Sequence, residues 1–214
     1  MTVWDERAEA YRTSATHREG ADLELVIELS EPGPGVRALD VATGGGHVAR
    51  RLREEGCEVV SCDPAPGMQP DVICHAEDLP FADSSFDVVV TRSAPHHFRD
   101  VATAVREMAR VARDRVVIQD TLFSGRAQEE AQRVRDPSHV RSYSEDEWRS
   151  LVDDAGLDVE RREIFVKRHP FESWLALTGC EGEEAERVRK LLADRTEEAA
   201  WLDRHIILKA RRRA

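Results

Sequence analysis

The chain predicts an α/β fold in which a mostly parallel sheet is covered by helices on both faces and preceded by a helical leader. Three observations predict it. Short apolar runs alternate with amphipathic stretches from Val36 onward, the first run ends on a glycine cluster, Gly44-Gly-Gly46, that opens a helix, and acidic residues recur near the ends of three successive runs, at Asp40, Asp63 and Glu77-Asp78. With 214 residues and no Pro/Gly/Ser-rich stretch of linker length, the sequence is read as a single domain spanning 1–214.

Taken in order, Trp4 to Leu29 has a helical apolar stripe that ends at the turn cluster Glu31-Pro-Gly-Pro-Gly35, making residues 1–31 a helical cover. Strands are expected at Val36 to Ala42, Glu58 to Asp63, Val72 to Ala76, Phe86 to Thr91 and Arg115 to Asp120. A helix is expected from Gly46 to Glu55, and Val101, Val105, Met108, Val111 and Ala112 mark the apolar face of another. Residues 121–143 form a polar excursion without clear periodicity. Ser144-Glu-Asp-Glu147 then fits a capping box, ahead of a helix face carrying Trp148, Leu151, Val152 and Ala155. Leu157 to Lys167 and Leu202 to Ala210 read as two late strands, separated by an insertion over 169–200 with two short amphipathic helices between Phe171 and Leu192.

The net charge of -11 opposes nucleic acid as a partner, because phosphate binding needs a positive stripe and only Arg211-Arg-Arg213 is basic. There is no run of about 18 apolar residues and the leader is charged, so a cytoplasmic protein with no membrane insertion is expected. Cys57, Cys62, Cys74 and Cys180 lack CxxC spacing and are expected to be buried free thiols. Cys74 and His75 are adjacent on a strand, point to opposite faces and are not expected to share a metal. Scarce lysine beside abundant arginine suggests a high-GC bacterial source.

The chemistry centres on Asp40-Val-Ala-Thr43-Gly44-Gly-Gly46. Glycines let a backbone approach a ligand closely, and the helix behind them offers unpaired N–H groups. The spacing Gly44-x-Gly46-x-x-Ala49 also satisfies a dinucleotide fingerprint, with Asp63 placed for ribose hydroxyls, so an NAD(P)-dependent oxidoreductase is one reading. Asp40 would repel a pyrophosphate, whereas a cofactor bearing an ammonium and a sulfonium tolerates it. Glu77-Asp78 could accept a hydrogen bond from an adenine amino group. Acids after three successive strands therefore suit a ligand with amino, ribose and adenine parts laid along the carboxyl edge of the sheet.

The runs Val36-Arg-Ala-Leu-Asp-Val-Ala-Thr-Gly-Gly-Gly-His47, Ala76-Glu-Asp-Leu-Pro-Phe81, Ser85-Phe-Asp-Val-Val-Val90, His96-His-Phe98 through Val111, and Ser138-His-Val-Arg-Ser-Tyr143 resemble the ubiquinone/menaquinone-type small-molecule methyltransferases. The resemblance implies a class I, Rossmann-like fold with seven strands, the last of them antiparallel. It also implies S-adenosylmethionine (SAM) as cofactor, S-adenosylhomocysteine as product, and cofactor contacts at Asp40, Gly44, Gly46, Asp63, Glu77 and Asp78, to which Thr43 and Ser93 are added by position. The family's usual Lys-Pro-Gly-Gly turn before the fifth strand is replaced by Ala112-Arg-Asp-Arg115, so a different connection is expected there.

An acceptor would meet residues just after strands four and five: Arg92, Ser93, His96, His97, Asp120 and Thr121. His96 as base with Asp120 as its orienting carboxylate is the expected catalytic pair. Tyr11, His17, His97, His139 and Arg141 are expected to face the acceptor from the leader and the excursion. The expected reaction is methyl transfer to the O, N or C atom of a small molecule, in an assembly that allows a homodimer. A methyltransferase-like protein using bound SAM for non-methylating chemistry is the other alternative.

Overall fold

The computed structural model describes residues 3–213. The leader is three helices rather than one: α1 (Val3–Thr13), α2 (Ala15–Arg18) and α3 (Ala21–Leu29). Ser14 adopts an extended backbone and Gly20 has φ +134°, so the chain turns at both points where a continuous helix was expected. The alternating part follows with β1 (Arg37–Val41), α4 (His47–Glu54), β2 (Glu58–Asp63), a two-residue β3 (Val72–Ile73), β4 (Phe86–Arg92), α5 (Val101–Val111) and β5 (Ala112–Thr121).

The expected strand at Val72 to Ala76 thus shrinks to an edge pair beside β2. At the far end of the domain come α6 (Arg126–Arg135), α7 (Glu145–Asp154), β6 (Leu157–Pro170), α8 (Phe171–Ala176), α9 (Gly182–Leu191), β7 (Thr196–Glu197) and β8 (Ala200–Arg212). The capping box at Ser144 is formed, with the Ser144 side chain accepting from the Glu147 N–H and Glu147 reaching back to the Ser144 N–H.

The strand order is β3-β2-β1-β4-β5-β8-β6, with β8 antiparallel to both neighbours and β1 to β5 parallel. The seven strands and reversed last strand expected from the resemblance are all present, and the short β7 adds an eighth as a hairpin on β8. At Ala112-Arg-Asp-Arg115 there is no turn. Helix α5 runs straight into β5, and the register against β4 shifts between Phe86 and Val88. Arg115 is buried there and donates to the carbonyls of Ser30 and Glu31, closing the C-terminal end of α3.

Two apolar layers sandwich the sheet because side chains alternate along each strand. Leu39, Val41, Val89, Val116, Ile118 and Ile206 face α5 and α7, while Ala38, Val88, Val90, Val117 and Ile207 face α3 and α4. A third cluster joins α6, α8 and α9 around Trp174 and Trp201, so the two sequence insertions pack on each other.

The leader is tied to the sheet by charge. Asp22 of α3 accepts from Arg92 at the end of β4 (2.6 Å) and from Lys167 of β6 (3.0 Å), and both Asp22 and Arg92 are buried. Arg92 and Lys167 also donate to the carbonyls of His17 and Thr16, fixing α2. Burial opposes the charge on Asp22, but Arg92 and Lys167 overcome it and hold the carboxyl at about 2. Asp22→Ala leaves buried Arg92 and half-buried Lys167 without their anion and is expected to cost about 3–5 kcal/mol in urea unfolding. Because the folded pKa is depressed, the stabilisation is present above the unfolded value near 3.8. It is lost as pH falls toward 2, and an acid titration of stability should show this limb disappear in the variant.

Candidate active site

The carboxyl ends of β1, β2 and β4 open into a cavity of ≈ 350 Å³ roofed by α1 and α2. Asp40, Thr43, Gly44, Gly45, Asp63, Glu77 and Ser93 line it, together with apolar Ala42, Ala65, Met68, Ala76 and Phe98. Two carboxylates shape its floor. Asp40, at 1% exposure, accepts from the Thr43 hydroxyl (2.5 Å) and the Ala49 N–H (3.0 Å), so it clamps the glycine loop to the first turn of α4. Asp63 accepts from the N–H groups of Gly44 (3.0 Å) and Ala65 (2.9 Å) and holds the loop from the other side.

Burial raises the pKa of both acids, Asp40 to about 6. Ala42 and Ser93, which follow β1 and β4, have φ +56° and +54°. Backbone held in the left-handed region at non-glycine residues is costly, and both of these residues line the cavity.

Several sequence-predicted residues meet at this cavity, and others do not. Tyr11, His17 and His97 line its wall. Glu77 also lines it, while its carboxylate accepts from the N–H groups of Arg99 and Asp100. Gly46 caps α4 with φ +76° but lies behind the lining. Asp78 is exposed on the following turn and outside the cavity, and Arg141 is exposed, pairing with Glu147 and lying over the Tyr143 ring.

The sequence reading missed Trp4, Gly45, His47, His75 and Arg99, all on the wall. Trp4 sits edge-on to His97 at 4.7 Å and to Tyr11 at 5.8 Å, a contact across 93 residues that no local pattern encodes. Gly45 could have been found from its place in the glycine run, which the spacing argument skipped.

His96 and Asp120 form the expected pair, with His96 Nδ1 2.5 Å from Asp120 Oδ1. They lie beside the cavity rather than on its lining, and the His96 ring is 4.0 Å from that of His97 and 5.3 Å from that of His139. The His96 side chain keeps 16% exposure and the Asp120 side chain none. Burial drives the two in opposite directions, His96 down to about 3 and Asp120 up to about 7. Imidazole is therefore neutral throughout the physiological range. Below about 7 the Asp120 carboxyl donates to Nδ1, and above it the carboxylate accepts from Nδ1–H, which leaves Nε2 with a free lone pair. His97 is lowered as well, by burial and by His96, and its Nδ1 donates to the Ser138 carbonyl at 3.1 Å.

An open parallel sheet with a reversed strand at this position, a glycine loop between two buried acids and a cavity at its carboxyl edge define the class I methyltransferase architecture. Residues 39–118 match the family profile described as methyltransferase domain. The methyltransferase YcgJ of Bacillus subtilis is 30% identical over 224 residues, covering 92% of this chain and 87% of that protein. Its solved structure superposes with a TM-score of 0.78 at 25% identity, covering 90% of this chain and 98% of that one. A demethylmenaquinone methyltransferase of Beutenbergia cavernae is 39% identical over 90 residues, 37% of this chain and 38% of that protein. The chain belongs to the methyltransferase-domain family.

The packing of α1 on the loop gives a direct test. A Cβ on Gly45 would lie 2.7 Å from the Tyr11 carbonyl oxygen and 2.7 Å from His47 Nε2, and the carbonyl cannot rotate away. Gly45→Ala is expected to destabilise the fold by about 1–3 kcal/mol, measured by urea unfolding. Protease accessibility of α1 should rise in the same variant.

Proposed function

We propose that the protein is a SAM-dependent methyltransferase acting on a small-molecule acceptor. The observation that carries this reading is the cavity between Asp40 and Asp63, whose donors and acceptors fit the parts of that cofactor. Buried Asp40 provides an anion for an ammonium, and Asp63 keeps lone pairs for ribose hydroxyls beside its two backbone contacts. A Cβ on Gly44 would meet no protein atom within 4 Å, so bare backbone faces open space where a thin ligand chain passes. Met68, Ala76 and Phe98 offer an apolar slot for a flat base. When bound, the cofactor supplies an activated methyl group.

The protein's own residues then align the acceptor and remove its proton. Tyr11, His17 and His97 face the acceptor, and His96 with Asp120 is the base pair, in the tautomer that exists above about pH 7. The demethylmenaquinone methyltransferase relative acts on demethylmenaquinone, as its name states, and supports a small acceptor for this chain.

The binding half is tested by calorimetry with SAM and S-adenosylhomocysteine. Asp63→Ala is expected to lose about 1.5–3 kcal/mol per charge-assisted bond, and some stability too, since the carboxylate also holds Gly44 and Ala65. An ammonium favours ionised Asp40, so binding near pH 6 should release protons, seen as a buffer-dependent enthalpy. Affinity should fall as pH drops below about 6. Unchanged affinity in a folded Asp63→Ala protein would overturn the assignment.

The catalytic half is tested by release of S-adenosylhomocysteine with an identified acidic acceptor. His96→Ala is expected to lower turnover about 10²-fold or more with cofactor affinity unchanged, and Asp120→Asn to abolish the rise in activity through about pH 7. If His97→Ala has that effect and His96→Ala has none, the base is the cavity-lining histidine instead.

A further inference from the structure

The antiparallel ladder between β6 and β8 pairs Phe165 with His205, Lys167 with Asp203 and His169 with Trp201, which puts these six side chains on one face of the sheet. One donor atom each from His169, Asp203 and His205 fall within 4.8 Å of one another, the only such group of three histidine, cysteine or acidic side chains among the described residues. Three of their polar atoms are buried without a hydrogen-bond partner: His169 Nε2, Asp203 Oδ1 and His205 Nε2. Asp203 is 2% exposed and His205 5%. Their contact, His205 Nε2 to Asp203 Oδ2 at 3.0 Å, lacks the alignment of a hydrogen bond. An orphaned buried polar atom costs about 1–3 kcal/mol, so three of them on one cluster of side chains call for a partner.

We propose that His169, Asp203 and His205 form a binding site for a divalent transition metal of the Zn²⁺ type. The site is independent of the cofactor reading. Two imidazoles and one carboxylate suit zinc and its first-row neighbours, and they disfavour Mg²⁺ and Ca²⁺, which take all-oxygen shells. Metal–donor distances of about 2.0–2.2 Å place tetrahedral donors about 3.3–3.6 Å apart, so donors that lie within 4.8 Å of one another need close by no more than about 1.5 Å. Burial keeps His169 neutral, with a lone pair to give.

The surroundings hold the rings for the task. His205 stacks on Phe165 at 5.6 Å and His169 on Trp201 at 5.4 Å. Thr121 donates to Asp203 Oδ2 at 2.9 Å, and the Gln119 side-chain amide meets His205 Nδ1 at 2.8 Å. With the Gln119 amide oxygen turned to Nδ1–H, His205 presents Nε2 to the ion, the arrangement a ligating histidine needs. The same amide touches the hydroxyl of Ser93, on the cavity wall, so the metal site and the cavity share one side chain. Lys167, the cation across the ladder from Asp203, is engaged by Asp22 and the Thr16 carbonyl. Three protein donors leave a fourth position for water or an acceptor heteroatom.

The test uses the full chain, stripped with chelator and titrated with Zn²⁺ by calorimetry and with Co²⁺ by visible absorption. One equivalent per chain with cobalt ligand-field bands is expected, and Mg²⁺ should not compete. His169→Ala, on the half-buried edge strand, should weaken binding by at least about tenfold, since even outer-shell partners of a metal are worth that much. Asp203→Asn should do the same, with circular dichroism confirming that each variant is folded. His139→Ala should bind as the parent does. No stoichiometric binding, preference for Mg²⁺, or affinity unchanged in folded His169→Ala but lost in His139→Ala would each overturn the proposal.

Discussion

The cavity depends on two carboxylates that hold a loop with almost no side chains of its own. Asp40 and Asp63 reach the glycine loop from β1 and β2 and occupy the N–H groups of Ala49 and Gly44. A run of glycines is entropically loose, and without those anchors it would not keep a defined shape. The same two acids line the cavity, so the side chains that hold the loop also face the open space above it. Their burial leaves both reluctant to ionise.

A second layer of charge closes the cavity from above. Helices α1 and α2 bury little apolar surface, with Ala8 the only fully buried residue of α1 and none in α2. They stay in place through Asp22, Arg92 and Lys167, through Arg7 on Asp136 and the Thr178 carbonyl, and through the Asp5 carboxylate on the Gly67 N–H. A roof held by ion pairs and backbone contacts rather than by a large apolar face owes its position to charge.

Between roof and sheet lies an unusual concentration of imidazoles. His17, His96, His97 and His169 are all pushed below their ordinary pKa by burial, so they supply lone pairs and N–H donors rather than positive charge. Neutral imidazoles flanked by Asp120, Asp136 and Asp203 make a polar layer whose hydrogen-bond directions are set by tautomers. In the His96–Asp120 pair that tautomer follows the state of the carboxyl, because Asp120 is sealed while His96 retains an exposed edge.

Much of this architecture was legible in the chain. The alternation of strands and helices, the glycine loop, the acids at the ends of β1 and β2 and the capping box at Ser144 are local patterns, set by side-chain periodicity and by backbone hydrogen-bonding needs that act over a few residues. His96 and Asp120 come within hydrogen-bond distance because β4, which His96 follows, and β5, which ends just past Asp120, are neighbouring parallel strands. The short β3, the breaks in the leader and the direct run of α5 into β5 were not legible, because strand pairing and packing override weak local preference.

Nor were the contacts of Trp4 with His97, of Gly45 with Tyr11, or of Asp22 with Arg92 and Lys167. They join residues far apart in sequence, and the exposed positions of Asp78 and Arg141 follow from the turns that carry them. The triad His169, Asp203 and His205 exists only through the register of β6 against β8, which brings two strands separated by an insertion together. The sequence by itself determined the fold class and the loop that opens the cavity, because those follow from local chemistry. Which polar groups end up buried together was decided by the tertiary structure alone, because burial and register are properties of the packed sheet.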